Sequence, residues 1–119
     1  MVTLFEKNDV IIKIKIVDRK FYEMRFNNII FFEKTNAEFE LFALFKTFEL
    51  FSKNMLEFKD YKYLLCNFEI VRKNKHYYLK VSFSARGNKY IYYFDKLEAG
   101  VIAEMFNRYK RITIPTEEA

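Results

Sequence analysis

The sequence has little of what breaks, bridges or reacts: in 119 residues there are two glycines, one proline, one cysteine, one histidine and no tryptophan. So few Gly and Pro predict short loops between long regular elements. A lone cysteine, Cys66, excludes an internal disulfide and points to an intracellular, reducing compartment. A lone histidine, His76, leaves no His cluster for a metal and no spare imidazole for a proton relay. Gly87 and Gly100 stand too far apart to form a phosphate-binding loop. No uncharged run approaches the roughly 20 residues that span a bilayer, so no membrane partner is expected. The opening Met1-Val2-Thr3-Leu4-Phe5-Glu6 lacks the basic start and apolar region of a signal peptide. The carboxylate pairs Glu38/Glu40 and Glu117/Glu118 fall at a helix start and in a tail, with no site around them. The expectation is a non-enzymatic protein with no cofactor and no metal.

What is present is a core-forming, basic chain. Hydrophobic residues make up 51% and aromatics 20%, too many for disorder. The length suits one domain, residues 1–112, with residues 113–119 as a mobile acidic tail. The net charge of +5 is unevenly placed. Residues 1–69 carry 11 Lys/Arg and 11 Asp/Glu, whereas residues 70–119 carry 10 and 5. Positive charge confined to one half fits a polyanionic partner.

Along the chain, Val2 to Phe5 can form a short leading strand. Asp9 to Val17 alternates with period two, Val10, Ile12, Ile14 and Ile16 on one face and Ile11, Lys13, Lys15 and Val17 on the other. After the turn Asp18-Arg19-Lys20, Phe21 to Phe26 alternates again, Asn27-Asn28 closes a second turn, and Ile29 to Glu33 is a third strand. Thr35 and Glu38 have capping-box spacing, and a helix follows to about Ser52. Its stripe of Leu41, Leu44, Phe45, Phe48 and Phe51 faces the core, with Phe39 and Phe42 partly outside it. That excess fits either a second packing surface, such as another subunit, or a thick core under a small sheet. Lys53 to Lys62 is a partly ordered connection. Tyr63 to Val71 and His76 to Ser84 are strands around the turn Arg72 to Lys75, and Cys66 shares a face with Leu64, Phe68 and Ile70. Lys89 to Phe94 is the sixth strand; either Tyr90, Tyr92 and Phe94 or Ile91 and Tyr93 face inward. Asp95 and Glu98 repeat the cap spacing before a second helix to about Arg111, whose final Arg108, Lys110 and Arg111 suit the helix dipole. The two caps lie 60 residues apart, and the turns align at the same offset. The fold class expected is α+β: antiparallel sheet of about six strands with two helices, in two similar meander-plus-helix halves.

The functional signal lies in residues 70–94, a stretch with no Asp or Glu, six Lys/Arg, His76 and five Tyr. It reads as a hairpin turning at Gly87-Asn88. Cations interleaved with aromatics on paired strands suit a single-stranded nucleic acid, with cations on phosphates and rings on bases. The candidate binding residues here are Arg72, Lys73, Lys75, Tyr78, Lys80, Arg86, Lys89 and Tyr92. Lys13, Lys15, Arg19 and Lys20 of the first half join them in one cationic groove if the halves form a single sheet.

Repeated sheet-plus-helix units with basic, aromatic strands resemble the single-stranded DNA binders of the Whirly and positive-cofactor type. The small size, the Phe/Tyr/Ile/Lys/Asn-rich composition, the charged hairpins and the tail Pro115-Thr116-Glu117-Glu118 are similar to small single-stranded DNA-binding proteins of archaeal viruses that lack an OB fold. The resemblance implies a homodimer with a binding trail along the sheet. The role expected is in genome replication or processing, in the cytoplasm of an infected host cell, with the acidic tail either recruiting a protein partner or competing with DNA for the groove. A rival expectation is a protein-interaction or assembly module whose working surface is the Phe-rich first helix.

Overall fold

The computed structural model describes residues 1–7, 9–33, 38–62 and 66–110, with backbone alone for residues 20–22, 31–33 and 38–40. Strands β1 (Val2–Lys7), β2 (Val10–Val17), β3 (Lys20–Phe26) and β4 (Ile29–Glu33) precede helix α1 (Glu38–Ser52). Strands β5 (Tyr61–Lys62), β6 (Asn67–Lys73), β7 (His76–Ala85) and β8 (Asn88–Phe94) precede helix α2 (Lys96–Lys110). Each set of four is an antiparallel meander in chain order, and no strand of one pairs with a strand of the other. The protein is therefore α+β, one sheet-plus-helix unit used twice.

The expected strand count of about six is corrected to eight. The leading segment runs on to Lys7 and pairs with β2 along its length. Within the connection, Tyr61 and Lys62 pair with Phe68 and Asn67 as a two-residue edge. That segment carries no alternation long enough to read, because two residues do not make a period. The strand expected over residues 63–71 instead runs Asn67–Lys73, and residues 63–65 lie outside the described set.

Tight turns set the registers. Asp18 and Arg19, Asn74 and Lys75, and Arg86 and Gly87 each place two consecutive residues at positive φ, 51° to 79°. Paired positive φ marks the two-residue turns whose twist matches that of the strands they join. The β7–β8 turn thus rests on Arg86-Gly87, one residue earlier than the Gly87-Asn88 expected, with Ala85 opposite Asn88.

Leu4, Val10, Ile12, Ile14, Met24 and Phe26 cover the inner face of the first sheet, and Phe68, Leu79, Val81, Phe83 and Phe94 that of the second. The inner faces meet where Phe26 packs edge-on to Phe83, ring centroids 5.4 Å apart, and Phe5 on Phe94 at 6.0 Å. Helix α1 wedges in beside them: Phe48 stands edge-on to both Phe68 and Phe94 at 5.5 Å. On its other side Phe45 stacks flat on Phe106 of α2 at 3.9 Å, and Phe42 tilts onto the same ring. The second surface that this aromatic helix requires is thus α2 of the same chain. The side chain of Phe39 lies outside the described residues.

Helix α2 starts with the expected capping box. The Glu98 amide donates to Asp95 Oδ1 at 2.8 Å, and the Asp95 amide to Glu98 Oε1 at 2.9 Å. Lys7 extends this cap into a tie between the units, its Nζ 2.9 Å from Glu98 Oε2 and 3.0 Å from the Tyr93 carbonyl oxygen to which it donates. The Thr35 cap, Arg111 and the tail over 113–119 lie outside the described residues. Cys66 is buried, as expected, but it precedes β6 rather than lying within a strand. Among the described residues no helix is long and apolar enough to cross a membrane.

Candidate nucleic-acid interface

Strand parity builds the site. In β7, Leu79, Val81 and Phe83 are buried on the inner face, so Tyr78, Lys80, Ser82 and Ser84 share the outer one. Register then sets Glu69, Lys80 and Tyr93 side by side across β6, β7 and β8, with Asn67, Ser82 and Ile91 in the next row and Ser84 beside Lys89. Lys73 lies opposite His76 at the β6–β7 end, and its ammonium hangs 3.7 Å from the centre of the Tyr93 ring. The outer face of the second sheet therefore gathers Lys73, Tyr78, Lys80, Lys89 and Tyr93, with Lys75 in the adjoining turn.

Acids reach this face from other parts of the chain. The sequence between residues 70 and 94 is acid-free, yet pairing places Glu69 of β6 directly opposite Lys80. Asp60 comes near the same rows, sharing a shallow depression with Glu69, Lys80 and Lys89. Even so, Lys80 and Lys89 form no ion pair among the described residues. Acids flank the face on both sides: Asp60 and Glu69 at the β5–β6 side, and Asp9 and Glu98 in a depression shared with Lys7, Tyr78 and Tyr93 at the β8 side.

The other expected residues go elsewhere. Lys13 and Lys15 do share an outer face, that of the first sheet, where Lys13 lies opposite Arg25 and Lys15 opposite Glu23. There Arg25 Nε donates to Glu23 Oε2 at 2.6 Å, so the half-neutralised face mixes both signs. Because the halves form two sheets joined through their inner faces, the single groove across both is corrected to two separate outer surfaces. Arg19 sits in the β2–β3 turn and Arg86 in the β7–β8 turn. The side chain of Lys20 is outside the described residues. Arg72 shares the inner parity of Phe68 and Ile70 but lies beyond the core, its guanidinium 5.8 Å from the Tyr77 ring.

Tyr92 is the clearest departure. It faces inward with Tyr90 and Phe94, 5.2 Å from the Phe26 ring and stacked on Phe83 at 6.1 Å. Its hydroxyl accepts from Asn27 Nδ2 at 3.3 Å, and burial raises its pKa above the ordinary tyrosine value, partly offset by that hydrogen bond. It is a joint between the sheets, and a base cannot stack on it without separating them.

Tyr93 takes its place on the outer face, and the signal for it was in the sequence. Any two-residue turn between β7 and β8 sets even residues of β7 beside odd residues of β8. Once Lys80 is outward, Tyr93 is too, whether the turn is Arg86-Gly87 or Gly87-Asn88. Composition hid this, since both faces of β8 are aromatic.

No group of three or more His, Cys, Asp or Glu side chains gathers to hold a metal among the described residues. Compared with protein-family models, with curated proteins and with solved structures, the chain matches none.

Proposed function

We propose that the protein binds single-stranded nucleic acid, DNA in the first instance, on the outer face of its second sheet. The observation that carries this is the Lys73–Tyr93 pair, a cation held over an aromatic ring on an open strand face, with Tyr78, Lys75, Lys80 and Lys89 around it. A stacked base replaces the ammonium over the ring, and the displaced Lys73 meets the phosphate beside that base. Base stacking of this kind contributes about 1–3 kcal/mol per ring, and each phosphate neutralised adds to the salt dependence. The resemblance to single-stranded DNA binders of the Whirly and positive-cofactor type points the same way and carries with it a homodimer and a role in genome replication or processing.

The test is fluorescence anisotropy of labelled single- and double-stranded oligonucleotides across a salt series. Single strands should bind more tightly, with affinity falling steeply with salt. Lys73→Ala with Tyr93→Ala should weaken binding at least tenfold, and Lys89→Ala should lower the salt slope. No binding at low salt, or binding indifferent to the Lys73/Tyr93 double variant, rejects the assignment.

The interaction-module alternative keeps one supporting observation, an exposed apolar end of the molecule. It does not lie on the Phe-rich helix, whose described rings pack inside the chain.

A further inference from the structure

Beyond the end of the core, the inner face of the second sheet continues into an apolar cleft of about 130 Å³, walled by Phe51, Leu56, Phe58, Ile70 and Tyr77, with Lys96 at its rim. That is comparable with the roughly 150 Å³ apolar cavity known to take a benzene-sized group, so it holds one aliphatic side chain. Large apolar side chains stay in water around it: Phe58 is 70% exposed, Met55 65% and Leu97 81%. Such a concentration marks an interaction site. A second groove adjoins it, sharing Tyr77 and Lys96 and adding Lys75, His76 and Leu97. Arg72, Lys75 and Lys96 thus surround Tyr77 with positive charge. The carboxylates nearby are committed: Asp95 caps α2, and Glu57 lies 3.8 Å from Lys59.

We propose that this cleft receives residues 112–118 of a second copy of the chain. Ile112 or Ile114 fills the apolar cavity, and Glu117 and Glu118 meet the cations at the rim. The segment Ile112-Thr113-Ile114-Pro115-Thr116-Glu117-Glu118 combines apolar anchors with net negative charge and contains no cation. A nucleobase fits less well. Phe58 meets Tyr77 edge-on, 5.4 Å apart at 66°, and Arg72 covers a face of Tyr77, so no parallel ring platform is open. Apart from Asn54 and Lys96 the walls are apolar and offer the polar edge of a base few partners.

Reach decides between the chain's own segment and another copy's. Lys96 lies at the start of α2 and Lys110 at its end, about 21 Å apart at 1.5 Å per residue. Fully extended, Ile114 gets no farther than roughly 14 Å from Lys110. At that reach the isoleucines of the same chain stop about 7 Å short of the Lys96 backbone, whereas those of a neighbour are not limited by that span.

A labelled peptide of residues 111–119 tests this, with anisotropy read against the full chain carrying Ile112→Asp and Ile114→Asp, which leaves the cleft free. Saturable binding is expected. Phe58→Ala in the receptor should weaken it at least tenfold, as should Ile112→Asp with Ile114→Asp in the peptide. Arg72→Glu, or Glu117→Gln with Glu118→Gln in the peptide, should weaken it and flatten its salt dependence. Thermal melts confirm that the receptors stay folded, which the exposure of Phe58 favours. Absence of binding at low salt overturns the proposal, and so does binding that Phe58→Ala and Arg72→Glu both leave unchanged. If Phe58→Ala weakens oligonucleotide binding but not peptide binding, the cleft belongs to the nucleic acid and the proposal falls. Because the peptide assay contains no oligonucleotide, its failure is separate from failure of the binding face around Tyr93.

Discussion

At the scale of residues, Tyr92 shows how the position of one hydroxyl decides between binding and architecture. Its ring bridges Phe26 and Phe83, and its hydroxyl takes a hydrogen bond from Asn27. Burial disfavours the phenolate, so the pKa is raised in the folded chain. The stability this gives is complete below the ordinary tyrosine value of about 10 and is lost as pH climbs through the raised value, because only the unfolded chain ionises freely. Tyr92→Phe should cost roughly 0.5–1.5 kcal/mol near neutral pH through the lost hydrogen bond. Above the ordinary value the variant should close that gap. Urea melts at about pH 8 and pH 10.5 measure it, and a gap constant with pH would sink the burial account. The ring face of Tyr93, unlike that of Tyr92, is open to a ligand once Lys73 moves, which is why the two neighbours have different uses.

At the scale of elements, the two helices pack closely where Gly100 faces Ser52, yet leave room for one methyl group. A Cβ added at Gly100 would lie 3.4 Å from Ser52 Cβ, at the near edge of ordinary contact. Gly100 has ordinary helical φ, so alanine fits there and removes backbone freedom from the unfolded chain. Gly100→Ala should stabilise the protein by about 0.5–1 kcal/mol, read as a rise in the urea midpoint. A loss instead would mean that the α1–α2 contact cannot yield even slightly. Gly87 is the opposite case, at φ 79° with open space around it, where the backbone rather than the neighbours calls for glycine. Capping chemistry at α2 was legible from residue spacing alone, because a cap involves only residues three apart. The partner of that cap, Lys7, was not, since it arrives from the other sheet.

At the scale of the molecule, the cations lie on two surfaces that face away from a common interior. Lys13 and Lys15 on the first sheet and Lys73, Lys80 and Tyr93 on the second do not share a groove. Two predictions separate under this geometry. If only the second sheet binds nucleic acid, Lys13→Ala with Lys15→Ala should change affinity less than twofold. If both bind, the two sets of substitutions should add in free energy without coupling, as distant sites do. Coupling beyond about 0.5 kcal/mol in anisotropy titrations would require the two faces to act on one strand and would contradict their separation. The first sheet also carries the Glu23–Arg25 pair at the centre of its outer face, which lowers its attraction for phosphate.

The sequence by itself determined the strand alternation over Val10–Val17 and His76–Ala85, the second cap, the bounds of both helices within a few residues and the doubled sheet-plus-helix order. These depend on neighbours two to four residues apart, and the chain carries them locally. It also held the outward parity of Tyr93, readable from any two-residue turn. The tertiary structure alone decided that the halves form two sheets, that Tyr92 joins them, that Glu69 stands beside Lys80, and that α2 is the second surface of α1. Each of these depends on which distant strand or helix comes alongside. That choice is made by how whole apolar faces bury each other, and no short-range period records it.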